Sequence, residues 1–177
     1  MFKDGHLQIL VKRIVLVVMF LLLEMMIVMV VDPGTLKSQD DLVKALKRQG
    51  LKVSDVTHVC ITHSHMDHYR NIGMFKDAKV LDHWGLWDHD IVDDWEPQFS
   101  KNIKIIKTPG HDYSGITLLV NTNKGTIAVC GDVFWKKDFP KKDAYASDKK
   151  KLEKSRKLVL KKADFIVPGH GKMFEVE

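Results

Sequence analysis

The sequence predicts a layered α/β domain, because short apolar, β-branched segments alternate with amphipathic segments of helical period and no internal repeat is visible. The chain has 177 residues, of which 45% are apolar, and this is enough to form one domain with a substantial core. No flexible linker divides it, so we expect a single domain over residues 1–177. The net charge of +5 mildly favours an anionic partner without identifying one.

The N-terminal apolar segment, from Ile14 to Val31, contains a single charged residue, Glu24. Its length is close to that of a membrane span, so a membrane anchor is one interpretation. Its content of Val, Ile and Met, and its direct continuation into Asp32, favour two or three core strands instead, because strands buried on both faces are apolar throughout. We therefore expect these strands inside the domain, Glu24 at a turn or exposed edge, no membrane partner, and a soluble cytoplasmic protein.

Two longer segments predict amphipathic helices. In SQDDLVKALKRQG, Ser38 is the expected N-cap and Gly50 the expected stop. The inner face of this helix is expected to consist of Leu42, Ala45 and Leu46. The segment DKKKLEKSRKLVLKKAD can direct its apolar residues inward, namely Leu152, Val159 and Ala163. A short helix is also expected to start near Asn71.

Most of the remaining strands are predicted in five segments: VTHVCITH, AKVLDH, NIKIIKTPG, SGITLLVNTNKGTIAVCGD and ADFIVPGHG. Residues 123–125, Asn-Lys-Gly, predict a hairpin turn. The stretch from Phe139 to Asp148 predicts a long surface loop. Cys60 and Cys130 lie in apolar strand segments, which indicates reduced, buried thiols rather than a disulfide framework.

The densest chemical signal is the segment THSHMDH. His63, His65 and Asp67 alternate, so an extended backbone would project all three side chains to the same side, and His68 adds a fourth donor. Imidazole and carboxylate together suit zinc, iron or manganese. The alternative is a polar turn with incidental histidines, but four donors in six residues are too dense for an ordinary solvated surface.

Three further donors follow predicted strands, each beside a glycine that allows close backbone approach. They are His111 in KTPGHD, Asp132 in VCGDVF and His170 in VPGHGK. Each motif alone would be a weak signal. Together with THSHMDH, in this order and spacing, they predict a metal site.

These motifs resemble those of the metallo-β-lactamase superfamily, from about Val28 to the C-terminus, with Asp32 in VDPG as a further match. The resemblance implies an αββα four-layer sandwich, in which two mixed sheets pack face to face with helices outside, and a binuclear site at one edge. After the third histidine, PGHDYSG replaces the common PGHTPG. This departure concerns the loop on the substrate side.

The resemblance also implies residue roles. His63, His65 and His111 would bind the first metal, whereas the second metal would be bound by Asp67, His68 and His170. Asp132 would bridge both ions, and Asp32 would orient a ligand by hydrogen bonding.

The implied cofactors are two divalent metal ions, with zinc favoured and iron or manganese as alternatives. Two such ions and the carboxylates of Asp67 and Asp132 leave a formal charge of about +2, and a bridging hydroxide would reduce this to about +1. Such ions lower the pKa of bound water from about 15.7 toward about 7, which predicts hydrolysis without a Ser or Cys nucleophile. Asp67 is the expected catalytic residue, orienting the water and helping to move its proton, or else a ligand alone.

The substrate is expected to be a small molecule or a short nucleic acid. One branch of the superfamily, resembled through GTIAVCGDVF and EKSRKLVLKKADFIVPGHG, is linked to RNA phosphodiester cleavage. A lysine-rich run that begins at Lys136 and Lys137 would steer such an anion toward the site, or would form a solvated surface. The alternatives are a lactone, thioester or small ester hydrolase, a persulfide-type dioxygenase with one iron, and a non-enzymatic nucleic-acid-binding module.

Six aromatic residues near the motif loops predict either pocket walls or packing in the core or in a homodimer. They are Trp84, Trp87, Trp95, Tyr113, Phe134 and Trp135. His83 and His89, in DHWGLWDHD, are not expected in the site.

Overall fold

The protein folds into two mixed β-sheets. The computed structural model describes residues 8–12, 15–21, 26–138 and 140–177, with side chains described from residue 27 onward. Three residues that carry predictions, Ile14, Glu24 and Phe139, lie outside the described residues.

The first sheet has its strands in the order of the sequence. They are β1 (Gln8–Lys12), β2 (Val15–Leu21), β3 (Met26–Val31), β4 (His58–Cys60), β5 (Lys79–Leu81), β6 (Leu86–Asp88) and β7 (Ile91–Asp93). Strands β3, β4 and β5 are parallel, and the other neighbours are antiparallel.

The second sheet has the spatial order β13, β12, β11, β10, β9, β8. In chain order its strands are β8 (Gln98–Ser100), β9 (Ile103–Lys107), β10 (Ile116–Thr122), β11 (Gly125–Val129), β12 (Phe165–Val167) and β13 (Phe174–Glu175). Strands β11 and β12 are parallel, whereas the other neighbours are antiparallel. The predicted hairpin joins β10 to β11 through Asn123 and Lys124, with Thr122 paired to Gly125.

A helix covers the outer face of each sheet. Helix α1 (Gln39–Lys47) is capped by Ser38, whose hydroxyl accepts a hydrogen bond from the backbone N–H of Asp40, as the sequence predicts. The buried residues of α1 are those predicted, Leu42, Ala45 and Leu46. Helix α3 (Lys149–Lys162) packs on the second sheet through Leu152 and Val159. The predicted α/β class and the αββα order of layers are therefore confirmed.

The N-terminal apolar segment forms strands β2 and β3, as expected. Strand β3 is buried on both faces. Ile27, Met29 and Val31 pack between the two sheets, whereas Val28 and Val30 pack under α1. This two-sided burial explains why the segment lacks polar alternation. Within the described ranges, no helix is long and apolar enough to cross a membrane.

The helix expected near Asn71 begins earlier than predicted. A single α-helical turn, α2 (Met66–Tyr69), starts inside the histidine-rich segment, and a 3-10 turn follows at Ile72–Met74. The extended backbone predicted for this segment is therefore wrong. Backbone hydrogen bonds from Gly34 and Thr35 to the carbonyls of His68 and Asp67 tie α2 to the end of β3, which favours the helical turn.

Candidate metal centre

Seven donor side chains meet at one edge of the two sheets, where four strands end. The loop after β4 and helix α2 supply four of them, the loop after β9 supplies one, and the turns after β11 and β12 supply one each. They are His63, His65, Asp67, His68, His111, Asp132 and His170, the residues that the sequence predicts for the site.

The first donor group consists of three histidines whose ring nitrogens face one another. His65 Nδ1 lies 3.1 Å from His63 Nε2 and 3.0 Å from His111 Nε2. Thr62 Oγ1 donates to Asp32 and is therefore left to accept from His63 Nδ1, at 3.1 Å. His63 Nε2 then carries a lone pair.

His111 has the same tautomer for a different reason. Its Nδ1 lies 2.6 Å from Asp143 Oδ2, and an ionised carboxylate can only accept, so Nδ1 is the donor and Nε2 carries the lone pair. Lone pairs that converge at about 3 Å repel one another unless a proton or a cation lies between them. The first group therefore fits a metal ion, for which neutral imidazole is the most common protein ligand.

The second donor group consists of Asp67, His68 and His170. Asp67 Oδ2 lies 3.5 Å from His170 Nε2 and 3.8 Å from His68 Nε2. His68 Nδ1 donates to Asp32 Oδ2 at 2.9 Å, so Nε2 is the ring nitrogen that faces Asp67 and Asp132. Asp67 is the most exposed of the three, with 53% of its side-chain surface accessible.

Asp132 lies between the two groups. Its Oδ1 is 3.4 Å from His68 Nε2, and its Oδ2 is 3.2 Å from His170 Nε2 and 3.5 Å from His111 Nε2. Gly169 lies so close to this carboxylate that a Cβ there would overlap Asp132 Oδ1. The glycine next to the last histidine is thus required by close approach of the backbone.

Two buried atoms of the centre have no hydrogen-bond partner within the described part of the chain, His68 Nε2 and Asp132 Oδ1. Buried polar atoms are rarely left unpaired, because each costs about 1–3 kcal/mol. Both atoms face the space between the donors. A cation bound there would satisfy both of them, so the donor set fits a metal.

The charges of the centre support the same conclusion. Burial and the neighbouring His68 lower the pKa of His63 to about 2. Burial opposes protonation of His68, but the carboxylates of Asp32 and Asp132 outweigh it and raise the pKa of His68 to about 10. Burial opposes ionisation of Asp132, yet the hydrogen bond from His170 and the nearby His68 hold its pKa well below the usual range. The carboxylates therefore stabilise positive charge in a site where burial alone would disfavour it.

Three carboxylates outside the donor set support the donor histidines. Asp32 accepts from the backbone N–H and hydroxyl of Thr62 as well as from His68, as the resemblance implies for a ligand-orienting residue. Asp143 holds His111. Asp112 lies with Oδ2 3.9 Å from His65 Nε2 and accepts hydrogen bonds from Ser64 and Ser114.

The sequence does not predict the role of Asp143, which lies in the stretch expected to be a surface loop. In the structure Asp143 is 3% exposed. Ser147 and Asp148 donate backbone hydrogen bonds to His111 and Gly110, which pins this loop onto the strand end that carries His111. No pattern in the sequence distinguishes this carboxylate from those of its solvated neighbours.

The predicted aromatic residues divide into three environments. Trp135 lies beside the donors, 6.1 Å from the ring of His111 and 5.7 Å from that of His170. Trp95 packs against the core between the sheets, and Phe134 packs on Phe174. Tyr113 is exposed near the first donor group.

Two residues outside the donor set, His83 and Lys137, line cavities. His83 was not expected in the site, but it lines a cavity that His63 also lines. Lys137 forms an ion pair of 2.7 Å with Glu177 and lines a different cavity, against Phe134 and Arg156.

Comparisons with known proteins place this site in a family. A family model for the metallo-beta-lactamase superfamily matches residues 16–96. Metallo-beta-lactamase domain-containing protein 1 of Xenopus laevis is 36% identical over 82% of this chain and 67% of its own length. The chain spans 59–67% of the length of the curated relatives with that name.

Two solved structures share the fold. TTHA1623, in a di-iron-bound form, superposes with a TM-score of 0.67 at 19% identity, over 97% of this chain and 94% of that one. AidC, a dizinc quorum-quenching lactonase, has a TM-score of 0.66 at 15% identity, over 89% and 72% of the two chains. The family match and the donor cluster support a metal-dependent hydrolase. This chain belongs to the metallo-beta-lactamase superfamily.

Proposed function

We propose that this chain is a binuclear metal-dependent hydrolase. The observation that carries the proposal is the position of Asp132, whose two carboxylate oxygens face histidines of both donor groups. His63, His65 and His111 would hold one ion, whereas the other would be held by Asp67, His68 and His170. Imidazole with few carboxylates favours zinc, and iron or manganese also suits this set.

Each side chain has a definite task in such a centre. A pair of divalent ions supplies Lewis-acid activation of water and of the bond that is cleaved. Asp32 and Asp143 fix the tautomers of His68 and His111, so that both present a lone pair on Nε2. Asp67 is the exposed carboxylate of the set, so it would orient an incoming water and help to move its proton in addition to binding a metal.

The charge of the centre favours a neutral substrate. Five carboxylates bind or support the donors: Asp32, Asp67, Asp112, Asp132 and Asp143. Two divalent ions would bring four positive charges against these five, so the formal charge is about −1 once the three supporting carboxylates are counted, compared with about +2 for the ions and their two carboxylate ligands alone. Lys137, expected to attract an anion, pairs with Glu177 and lines a different cavity from the one beside His63. We therefore propose an ester, lactone or thioester ahead of the phosphodiester.

The test is a substrate panel on protein first stripped of metal and then reconstituted. A p-nitrophenyl ester, a lactone, a thioester, a phosphodiester dye and short single-stranded RNA are assayed at two salt concentrations. The expected result is metal-dependent hydrolysis of a neutral substrate, with little effect of salt. Asp132→Ala should be inactive, and Asp88→Ala, which removes an exposed carboxylate that pairs with Lys79, is the matched control.

Other outcomes would refute this proposal. Turnover confined to RNA or the dye, and lost at high salt through counterion release, would favour the phosphodiester. One iron per chain with oxygen consumption on a persulfide would favour the dioxygenase. Binding of RNA without turnover of any substrate would favour the nucleic-acid-binding module.

A further inference from the structure

A cavity of about 240 Å³ adjoins the first donor group. His63 belongs to the first donor group and also lines the cavity, so one side of the cavity lies beside the metal centre. The cavity lies between the 3-10 turn at Ile72–Met74 and the ends of β4 and β5.

The walls of this cavity are mostly apolar. Its lining includes three aliphatic residues and one tyrosine: Ile61, Ile72, Val80 and Tyr69. These residues belong to or pack against the apolar cluster under α1, so a group bound in the cavity would contact side chains of the core. An apolar group that binds in the cavity leaves water and contacts hydrocarbon side chains, and this transfer is favourable.

Three aromatic side chains lie together at one side of the cavity, and two of them, His83 and Trp84, line it. Trp84 and Tyr113 are each 60% exposed, with ring centroids 6.3 Å apart. The ring of His83 lies 5.0 Å from that of Trp84 and 6.4 Å from that of Tyr113. Large aromatic side chains left this open to water are typical of surfaces that bind ligands.

His83 adds a polar contact that the fold leaves unused. Its Nδ1 is buried and has no hydrogen-bond partner among the described residues. The turn that carries it is fixed, because Asp82 Oδ1 accepts from the backbone N–H groups of Trp84 and Gly85 and from Trp87 Nε1. His83 is thus held in place beside the cavity with one free polar atom.

We propose that this cavity is the subsite for the apolar acyl group of a neutral ester-class substrate, with Trp84 and Tyr113 at its mouth and His83 Nδ1 hydrogen-bonded to a polar atom of the ligand. The inference rests on the proposed hydrolase function, because it places the reacting bond at the donor groups. The volume is below the about 300–1,000 Å³ of pockets for whole drug-sized ligands, so the cavity accommodates one substituent.

Binding of a homologous series of amides tests the subsite without relying on turnover. Acetamide, butyramide and hexanamide are neutral mimics of the ester, and their affinities are measured by NMR titration on metal-free and on reconstituted protein. Each methylene that enters the cavity should raise affinity about fourfold until the cavity is filled. A flat series would overturn the proposal.

Variants separate the parts of the subsite. Ile72→Trp should fill the cavity and abolish the dependence on chain length. Trp84 is exposed, so Trp84→Ala should fold normally. This variant should reduce the gain in affinity per methylene. His83→Phe keeps the ring and should lower the affinity of every amide about two- to tenfold with the length dependence unchanged. Ile91→Ala, equally exposed on β7, is the matched control and should change nothing.

The two proposals fail in different ways. If the length dependence persists in both Ile72→Trp and Trp84→Ala, the subsite is refuted, whether or not the protein hydrolyses esters. If wild-type binding shows the length dependence and Ile72→Trp removes it, but no ester is cleaved by reconstituted protein, the hydrolase proposal is refuted and the cavity remains a site for neutral apolar amide-like ligands.

Discussion

The two donor groups face the same carboxylate, Asp132, but differ in composition and in exposure. The first group is made of imidazoles, and two of them, His63 and His111, are only 4% exposed. The second group includes a carboxylate, and the side chains of Asp67 and His170 are 53% and 33% exposed. Because the side chain of His65 is 40% exposed and that of His68 only 2%, the difference rests on Asp67 and His170, which would bring the proposed second metal nearer to solvent.

The groups also differ in what supports them. His111 is held by Asp143, which comes from the long loop before α3. His68 is held by Asp32, at the end of the central strand β3, and the same carboxylate fixes Thr62 behind His63. Asp32 therefore supports both groups, whereas Asp143 supports the first alone.

The largest effect is expected from Asp132→Ala, because this carboxylate is shared by the groups. We expect metal affinity to fall at both positions by more than the about 10–100-fold that loss of an outer hydrogen-bond partner causes. Hydrolysis should be lost. Metal content is measured by elemental analysis after dialysis, and circular dichroism checks that the fold is retained. Full retention of both metals in this variant would contradict a shared carboxylate.

The next largest effect is expected from Asp32→Ala. The substitution leaves a buried histidine and a buried threonine without their acceptor, so we expect weaker binding of both metals and a loss of about 3–5 kcal/mol in the free energy of unfolding. Chemical denaturation of metal-free protein measures the stability, and metal titration measures the affinities. Weaker binding of one metal alone would contradict the proposal that Asp32 supports both donor groups.

A selective effect is expected from Asp143→Ala. Loss of the partner of His111 should weaken one of the two metals by about 10–100-fold and leave the other unchanged. Asp143→Asn retains an acceptor for His111 Nδ1 and should restore part of the affinity. Competition with a chromophoric chelator distinguishes the two metals. Equal weakening of both would show that this loop does not act on the first group alone.

The smallest effect concerns the rate of metal loss. Because Asp67 and His170 are more open to solvent than His63 and His111, a chelator should remove the metal in two phases. The faster phase should correspond to the second group, and Asp67→Ala should abolish it. A single phase in wild-type protein would mean that exposure does not separate the groups.

The sequence predicted the layers and the grouping of the seven side chains, because both depend on local pattern. Apolar periodicity identified α1, α3 and most strands, and glycine-flanked histidines marked the strand ends. The backbone of the histidine-rich segment was predicted incorrectly, because α2 depends on hydrogen bonds to Gly34 and Thr35, which are remote in sequence. Alternation in a short polar segment cannot reveal such contacts.

The supports of the site were harder to predict than its donors. Asp143 lies among lysines in a stretch that looks solvated, and only tertiary folding buries it against His111. His83 was set apart from the site because its motif resembled a metal motif only superficially. In the structure, the turn at Asp82 brings it to the cavity beside His63. Roles that arise from distant chain segments leave no local pattern.

The central claim is that two metal ions lie on either side of Asp132. A crystal structure of zinc-loaded protein, with anomalous data collected at the zinc edge, tests it most directly. We expect two anomalous peaks, one ligated by His63, His65 and His111 and the other by Asp67, His68 and His170. A single peak at saturating zinc, or two peaks of which neither contacts Asp132, would contradict the account.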